Sequence, residues 1–203
     1  MILFRTSNQK RRHAYAFLKT PVQQAALQAQ LEKKNWIEEI FARRLPIPRE
    51  FVTRFAPEGL LRNPLYASQM RETTFFEFGY GLIKRRSFLD LAIRAVCFDL
   101  RFSGKEQSID IETVASATAI LNPKNYTAAH AWIRELSVLP ESIRYPSVRD
   151  PGGHGVNFAI YERASIGTTR MLPEEIDLTV RVDGSVEIVD AITGQFSSIR
   201  PIL

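Results

Sequence analysis

A chain of 203 residues can bury one substantial core, and with 45% hydrophobic and 24% charged residues it has the make-up of a folded domain, which excludes a disordered tail. No stretch approaches the ~20 consecutive apolar residues of a membrane-spanning helix, so a transmembrane helix is excluded. The net charge of +5, from 27 basic and 22 acidic residues, comes without the long basic stripe or motif of a nucleic-acid reader, so direct nucleic-acid binding is not expected.

Met1 to Arg5 reads as a short strand. Thr20-Pro21-Val22-Gln23 carries helix-start chemistry, with Thr20 as N-cap, Pro21 at the first helical position and Gln23 as capping-box partner. Leu27, Leu31, Ile37, Ile40 and Phe41 continue this helix from Pro21 to Arg44, a helical extension over about residues 20–45, which stops before Pro46. Phe51 to Phe55 and Leu65 to Ala67 have strand length. Ser68 reads as the cap of a helix that starts near Gln69 and runs through Glu77. Ile93 to Phe102 reads as a strand. Asn122-Pro123 opens a helix with Tyr126, Ala129, Trp132 and Leu136 on one face. A strand over Ile143 to Tyr145, a polar loop from Ser147 to Gly155 and a strand over Val156 to Tyr161 follow. Ile176 to Val182, a turn at Asp183-Gly184 and Val186 to Val189 read as a hairpin. Strands and helices mix without strict alternation, so the fold class is α+β, a sheet sandwich with helices around it. Without repeats or a Gly/Ser/Pro linker, residues 1–203 read as one domain.

The single cysteine, Cys97, lies in an apolar run and reads as a buried inert thiol, which leaves neither a disulfide nor a cysteine-based zinc site. His13, His130 and His154 lack metal-ligand spacing, so no metal is expected. Met1 to Phe4 is too short for a signal peptide and its charges follow the run, so the expected location is cytoplasmic. Lys10-Arg11-Arg12 and Lys84-Arg85-Arg86 read as solvated faces, on a surface that also attracts an anionic small molecule or an acidic partner.

The chain lacks the Gly-x-Gly-x-x-Gly, P-loop and Gly-x-Ser-x-Gly patterns. What stands out is a set of separated blocks: Thr53-Arg54-Phe55, Leu65-Tyr66-Ala67-Ser68, Thr73-Thr74-Phe75-Phe76-Glu77-Phe78, the run from Asn122 to Leu136, and the run from Ile143 to Tyr161 that reads IRYPSVRDPGGHGVNFAIY. In order and spacing these blocks resemble the RES domain family, named for its Arg, Glu and Ser. The resemblance covers roughly residues 50–165 well and the two ends weakly. Phe75-Phe76 departs from the Ala-Leu common before the family's glutamate, which reshapes the neighbouring pocket and leaves Glu77 in place.

The resemblance implies a fold similar to ADP-ribosyltransferases of the diphtheria-toxin type, with a split β-sheet sandwich core and surrounding helices. It implies a toxin of a toxin–antitoxin pair that consumes NAD+ as substrate, by water or by phosphate, and arrests bacterial growth. The implied partner is an antitoxin with an Xre-like helix-turn-helix part, in a hetero-oligomer, with a homodimer as the other assembly. Carried over residue by residue, the catalytic set is Arg54, Tyr66, Glu77 and Ser147. The chemistry of these residue types suits the reaction. A carboxylate at Glu77 stabilises the positive charge that builds on ribose as nicotinamide leaves. The Arg54 fork suits a phosphate or carboxamide, and the Tyr66 ring suits stacking on nicotinamide. Ser147 suits hydrogen bonding to ribose, to the carboxamide or to Glu77. Arg149 and Asn157 join Arg54, Tyr66 and Ser147 as candidate ligand contacts, and Arg5 is an outlying one.

Each residue also has a plain structural reading. Glu77 can be a solvated helix charge, Arg54 an ion-pair partner of Glu58, Tyr66 a core residue, Ser147 a turn residue, Arg149-Asp150 a loop pair and His154 an exposed loop residue. Two other functions stay open: ADP-ribose transfer to a protein, and a catalytically inert module that only binds a partner.

Overall fold

The computed structural model describes residues 1–8, 47, 49, 52–85, 91–104, 107–167, 174–181, 185–190, 194 and 196–199. The expected helix from Pro21 to Arg44 and the basic run at residues 10–12 lie outside the described residues, as do the side chains of residues 84–86. The elements are β1 (Ile2–Asn8), β2 (Leu65–Ser68), α1 (Arg71–Arg85), β3 (Leu91–Phe102), β4 (Ser108–Asp110), α2 (Ala117–Ile120), α3 (Thr127–Glu135), β5 (Ser142–Pro146), β6 (Val156–Ile160), β7 (Ile166–Gly167), β8 (Glu174–Val180), β9 (Val186–Asp190) and β10 (Phe196–Ile199). Among the described residues strands predominate and helices are few, which makes this an α+β protein.

The strands pair in the order β10-β9-β8-β3-β1-β2-β6-β5-β4, and β7 pairs with the far end of β3. Every pairing is antiparallel except β4 with β5. The pairing is uneven. β1 runs against β3 from Ile2–Arg101 to Asn8–Ala95, but meets β2 at one pair, Phe4 with Ser68. The one sheet thus narrows to a seam where β1 meets β2, with a larger half on one side and a smaller half on the other.

Alternation along the strands explains which side each residue takes. Leu3, Leu65, Ala67, Leu100, Phe158 and Ile160 point to one face and form a fully buried cluster with Phe102 and Ile166. The other face is covered by helices. Over the larger half, Phe75 of α1 packs against Cys97, Ile176, Leu178, Val186 and Ile188, with Phe4 at the margin. Over the smaller half, Ile120 of α2 and Ala129 and Ile133 of α3 pack on Ile143, Tyr145 and Ala159. α1 touches β1, β2 and β8, so it lies along the seam. Its approach to β9 requires a glycine, because a Cβ on Gly79 would stand 2.8 Å from Val186 Cγ2.

Several expectations need correction. Of the strand expected over Phe51 to Phe55, Phe51 lies outside the described residues and Thr53 to Ala56 form a tight turn, with Thr53 and Ala56 bridged across it. Side chains take up the turn's backbone groups, and no neighbouring strand is needed. Ser68 closes β2 and α1 begins at Arg71. The helix expected at Asn122 starts at Thr127: Asn122 Oδ1 accepts from the backbone N–H groups of Lys124 and Asn125, and Asn125 Oδ1 accepts from that of Thr127. These local bonds hold two successive turns before the helix begins. The two strands of the C-terminal hairpin pair as β8 and β9, extended by β10, while Val182 and the turn at Asp183-Gly184 lie outside the described residues. Cys97 is buried in β3, as expected.

Candidate active site

Glu77 sits midway along α1, half-buried and facing the smaller half-sheet. Its Oε1 accepts two hydrogen bonds, from Ser147 Oγ at 2.7 Å and from Asn157 Nδ2 at 2.6 Å. Ser147 follows β5 directly and Asn157 lies on β6, so one carboxylate oxygen ties the helix to both strands. No protein donor is recorded on Oε2 among the described residues, which leaves that oxygen open to a ligand. A carboxylate held this way keeps a fixed orientation without using its second acceptor.

The loop after Ser147 is built to hold its shape. Ser147 N–H donates to Gly155 O at 2.7 Å and closes the loop at its base. The backbone N–H of Arg149 donates to Ser147 Oγ at 3.3 Å. Asp150 turns inward, where Oδ1 accepts from Gly152 N–H and Oδ2 from Thr73 Oγ1 at the start of α1. Gly155 makes room for this contact, since a Cβ there would lie 2.5 Å from Asp150 Oδ2 and 2.6 Å from Thr73. Gly153 supplies the positive φ, +68°, that the loop tip needs. His154 is exposed.

Arg54 is carried by the Thr53–Ala56 turn, which three side chains fasten. The Tyr66 hydroxyl accepts from Phe55 N–H at 3.1 Å and shares a hydrogen bond with Thr53 Oγ1 at 2.7 Å. The Tyr161 hydroxyl donates to Phe55 O at 2.6 Å, and His130 Nε2–H donates to Thr53 O at 2.9 Å. Phe55 itself is fully buried, edge-on to Tyr145 and Trp132. Arg54 is thereby pointed between the rings of Tyr126 and Tyr145, at 5.4 and 6.0 Å from their centroids. It is 7% exposed. One nitrogen, Nη2, donates to Asn122 O at 3.3 Å, while the buried Nη1 has no hydrogen-bond partner among the described residues. A buried guanidinium N–H left open is costly unless something supplies an acceptor. The ion pair with Glu58 is not formed; Glu58 is exposed and Arg54 faces inward.

Tyr145 ties the two charges into one site. Burial raises its pKa well above the usual phenol value, the Glu77 carboxylate raises it further, and the Arg54 guanidinium acts the other way. Burial also raises the Tyr66 and Tyr161 hydroxyls, so these clamps stay protonated. Arg5 reaches across the seam to donate to Tyr66 O at 2.6 Å, and burial lowers its pKa to about 10, which keeps it charged at neutral pH.

The site residues read from the sequence thus fall into three groups. Glu77, Ser147 and Asn157 are directly bonded. Tyr66 and Arg54 meet through the turn, where the Tyr66 hydroxyl is engaged with backbone and its ring packs beside the core of the smaller half. Arg149 touches the site by its backbone, and its side chain, 1% exposed overall, brings Nη2 within 3.5 Å of the hydroxyl of Tyr126, whose ring Arg54 also faces. The guanidinium also donates to Pro123 O and lies 3.5 Å over the Tyr80 ring. The sequence reading missed Ser68, Tyr80 and Tyr145. Tyr80 stands one helical turn after Glu77 and Tyr145 two strand residues before Ser147, spacings that put each on its neighbour's side.

The model of the RES domain family matches residues 29–181, about three quarters of the chain, and spans every residue of this site except Arg5. No curated protein matches the chain. With a match of that extent, the chain belongs to the RES domain family.

Proposed function

We propose that the protein cleaves the bond between nicotinamide and ribose in NAD+ and acts as a growth-arresting toxin. One observation carries the reading. Glu77 is held by two donors on one oxygen, with its other oxygen open, in the same cluster as a buried arginine with an unpartnered N–H. A fixed carboxylate suits a reaction that builds positive charge on a sugar, and a waiting guanidinium suits an anionic or amide-bearing substrate. NAD+ offers both.

In the reaction proposed, the C1′–N1 bond breaks and its electron pair leaves with nicotinamide, which departs neutral. Glu77 Oε2 stabilises the cation left on ribose. A water oxygen then bonds to C1′ and passes its proton to solvent, or an anionic phosphate oxygen bonds to C1′ with no proton to lose. Arg54 Nη1 orients the substrate, and the Tyr126 and Tyr145 rings bound its position. Nicotinamide leaves readily, so no metal is required. The expected partner is an antitoxin with an Xre-like helix-turn-helix part that covers the cleft, and the expected location is the cytoplasm. Purified protein should release nicotinamide from NAD+ with no second protein present. Dependence on added phosphate would make the reaction phosphorolysis. Label passing from NAD+ to a protein, with little turnover by the purified chain, would favour ADP-ribose transfer instead.

A further inference from the structure

We infer that Ser68 is a positioning residue for Glu77, acting through Asn157. Ser68 and Asn157 are directly opposite on β2 and β6, and both are buried, at 3% and 2% exposure. The Ser68 hydroxyl donates to Asn157 Oδ1 at 2.5 Å, and Asn157 Nδ2 donates to Glu77 Oε1 at 2.6 Å. The order of donors follows from chemistry. A carboxylate only accepts, so the amide must present its NH2 to Glu77 and therefore its oxygen to the other side. On that side the group must be a donor, and Ser68 supplies it. Without the hydroxyl, the buried Oδ1 loses its donor, and the amide that holds the carboxylate loses its anchor on the opposite strand. Ser68 also occupies the one residue pair that joins the half-sheets, opposite Phe4. The residue at which β2 meets β1 is therefore the one that holds the amide on the carboxylate.

The inference rests on Glu77 as the reacting carboxylate, and its test separates the two claims. Side-chain amide resonances of Asn157 are followed by NMR in the wild type, in Ser68→Ala and in Ser68→Cys, which keeps the volume but donates weakly. Glu77→Gln marks the position of the resonance without the carboxylate. Melting temperatures check the fold of each variant, and the cysteine variant stands in if alanine does not fold. Nicotinamide release is measured alongside. The expected result is an Asn157 NH2 resonance displaced in the wild type and shifted toward its Glu77→Gln position in both Ser68 variants. A fall of about tenfold in kcat with little change in KM should accompany it, as befits a lost orienting bond. A resonance that stays at its wild-type position in folded variants overturns the inference, as does an unchanged kcat. If the wild type releases no nicotinamide, the proposed reaction fails, while the resonance still decides whether Ser68 orients Asn157.

Discussion

Tyr66 shows how one residue can join the core and the site. Its ring belongs with the core of the smaller half, and its hydroxyl fastens the turn that aims Arg54. Tyr66→Phe removes the acceptor for Phe55 N–H at little cost in volume. We expect a loss of about 1–3 kcal/mol in stability from the unpaired donor. A rise in KM should accompany it as Arg54 loosens, both checked by denaturant unfolding and by steady-state kinetics on NAD+. The tyrosines also set a pH dependence. Tyr66, Tyr80, Tyr145 and Tyr161, four of the six in the chain, have pKa values raised above 10 in the fold, burial being the first cause for each. In the unfolded chain they lose protons at about 10. The folded state then binds more protons than the unfolded one, so stability is complete below pH 10 and falls as pH rises beyond it. Arg5, lowered to about 10, acts in the opposite sense in that range and is outnumbered. In an alkaline titration, tyrosinate absorbance from these four tyrosines should appear together with loss of secondary structure, and their titration near the ordinary phenol value in a folded protein would contradict the burial described.

At the scale of elements, α1 and the Ser147–Gly155 loop are placed by glycines that allow close approach. Gly155→Ala drives a Cβ into Asp150 and Thr73, the contact that joins the loop to the start of α1. A cost of about 1–3 kcal/mol is expected for such overpacking, with lower activity because Ser147 sits at the base of the same loop. A melting curve with a nicotinamide assay checks both; unchanged stability would mean that the loop has room to shift. These elements also show what was legible in the sequence. β1, β2, β3, β5, β6 and the β8–β9 hairpin were readable because each alternates or carries a continuous apolar run. β4, α2 and β7 span two to four residues, too few for any period to show. Ser68 misled for a physical reason: serine before a helix is good cap chemistry, but here a buried amide on the opposite strand claimed its hydroxyl. Arg54, Glu77, Ser147 and Asn157 stand out as candidates through the family's blocks and not through periodicity. The partners of Arg149 could not be foreseen, because Pro123 and Tyr80 are brought to it only by the fold.

For the whole molecule, the seam is the organising feature. Two half-sheets meet at one residue pair, α1 lies along the junction, and the candidate site collects groups from both sides of it. Glu77 arrives from the helix packed on the larger half, while Ser147, Asn157 and Arg54 belong to the smaller. Relative movement of the halves would therefore separate carboxylate from guanidinium, and a partner that grips both sides would control the site. The measurement that bears most directly on the account is nicotinamide release from NAD+ by the purified protein, with and without phosphate, beside Glu77→Gln and Arg54→Ala. Release by the wild type, reduced on the order of 10²–10³-fold in folded Glu77→Gln and strongly reduced in Arg54→Ala, is what the account predicts. Release that persists undiminished in Glu77→Gln, or a folded wild type that leaves NAD+ intact, would contradict it.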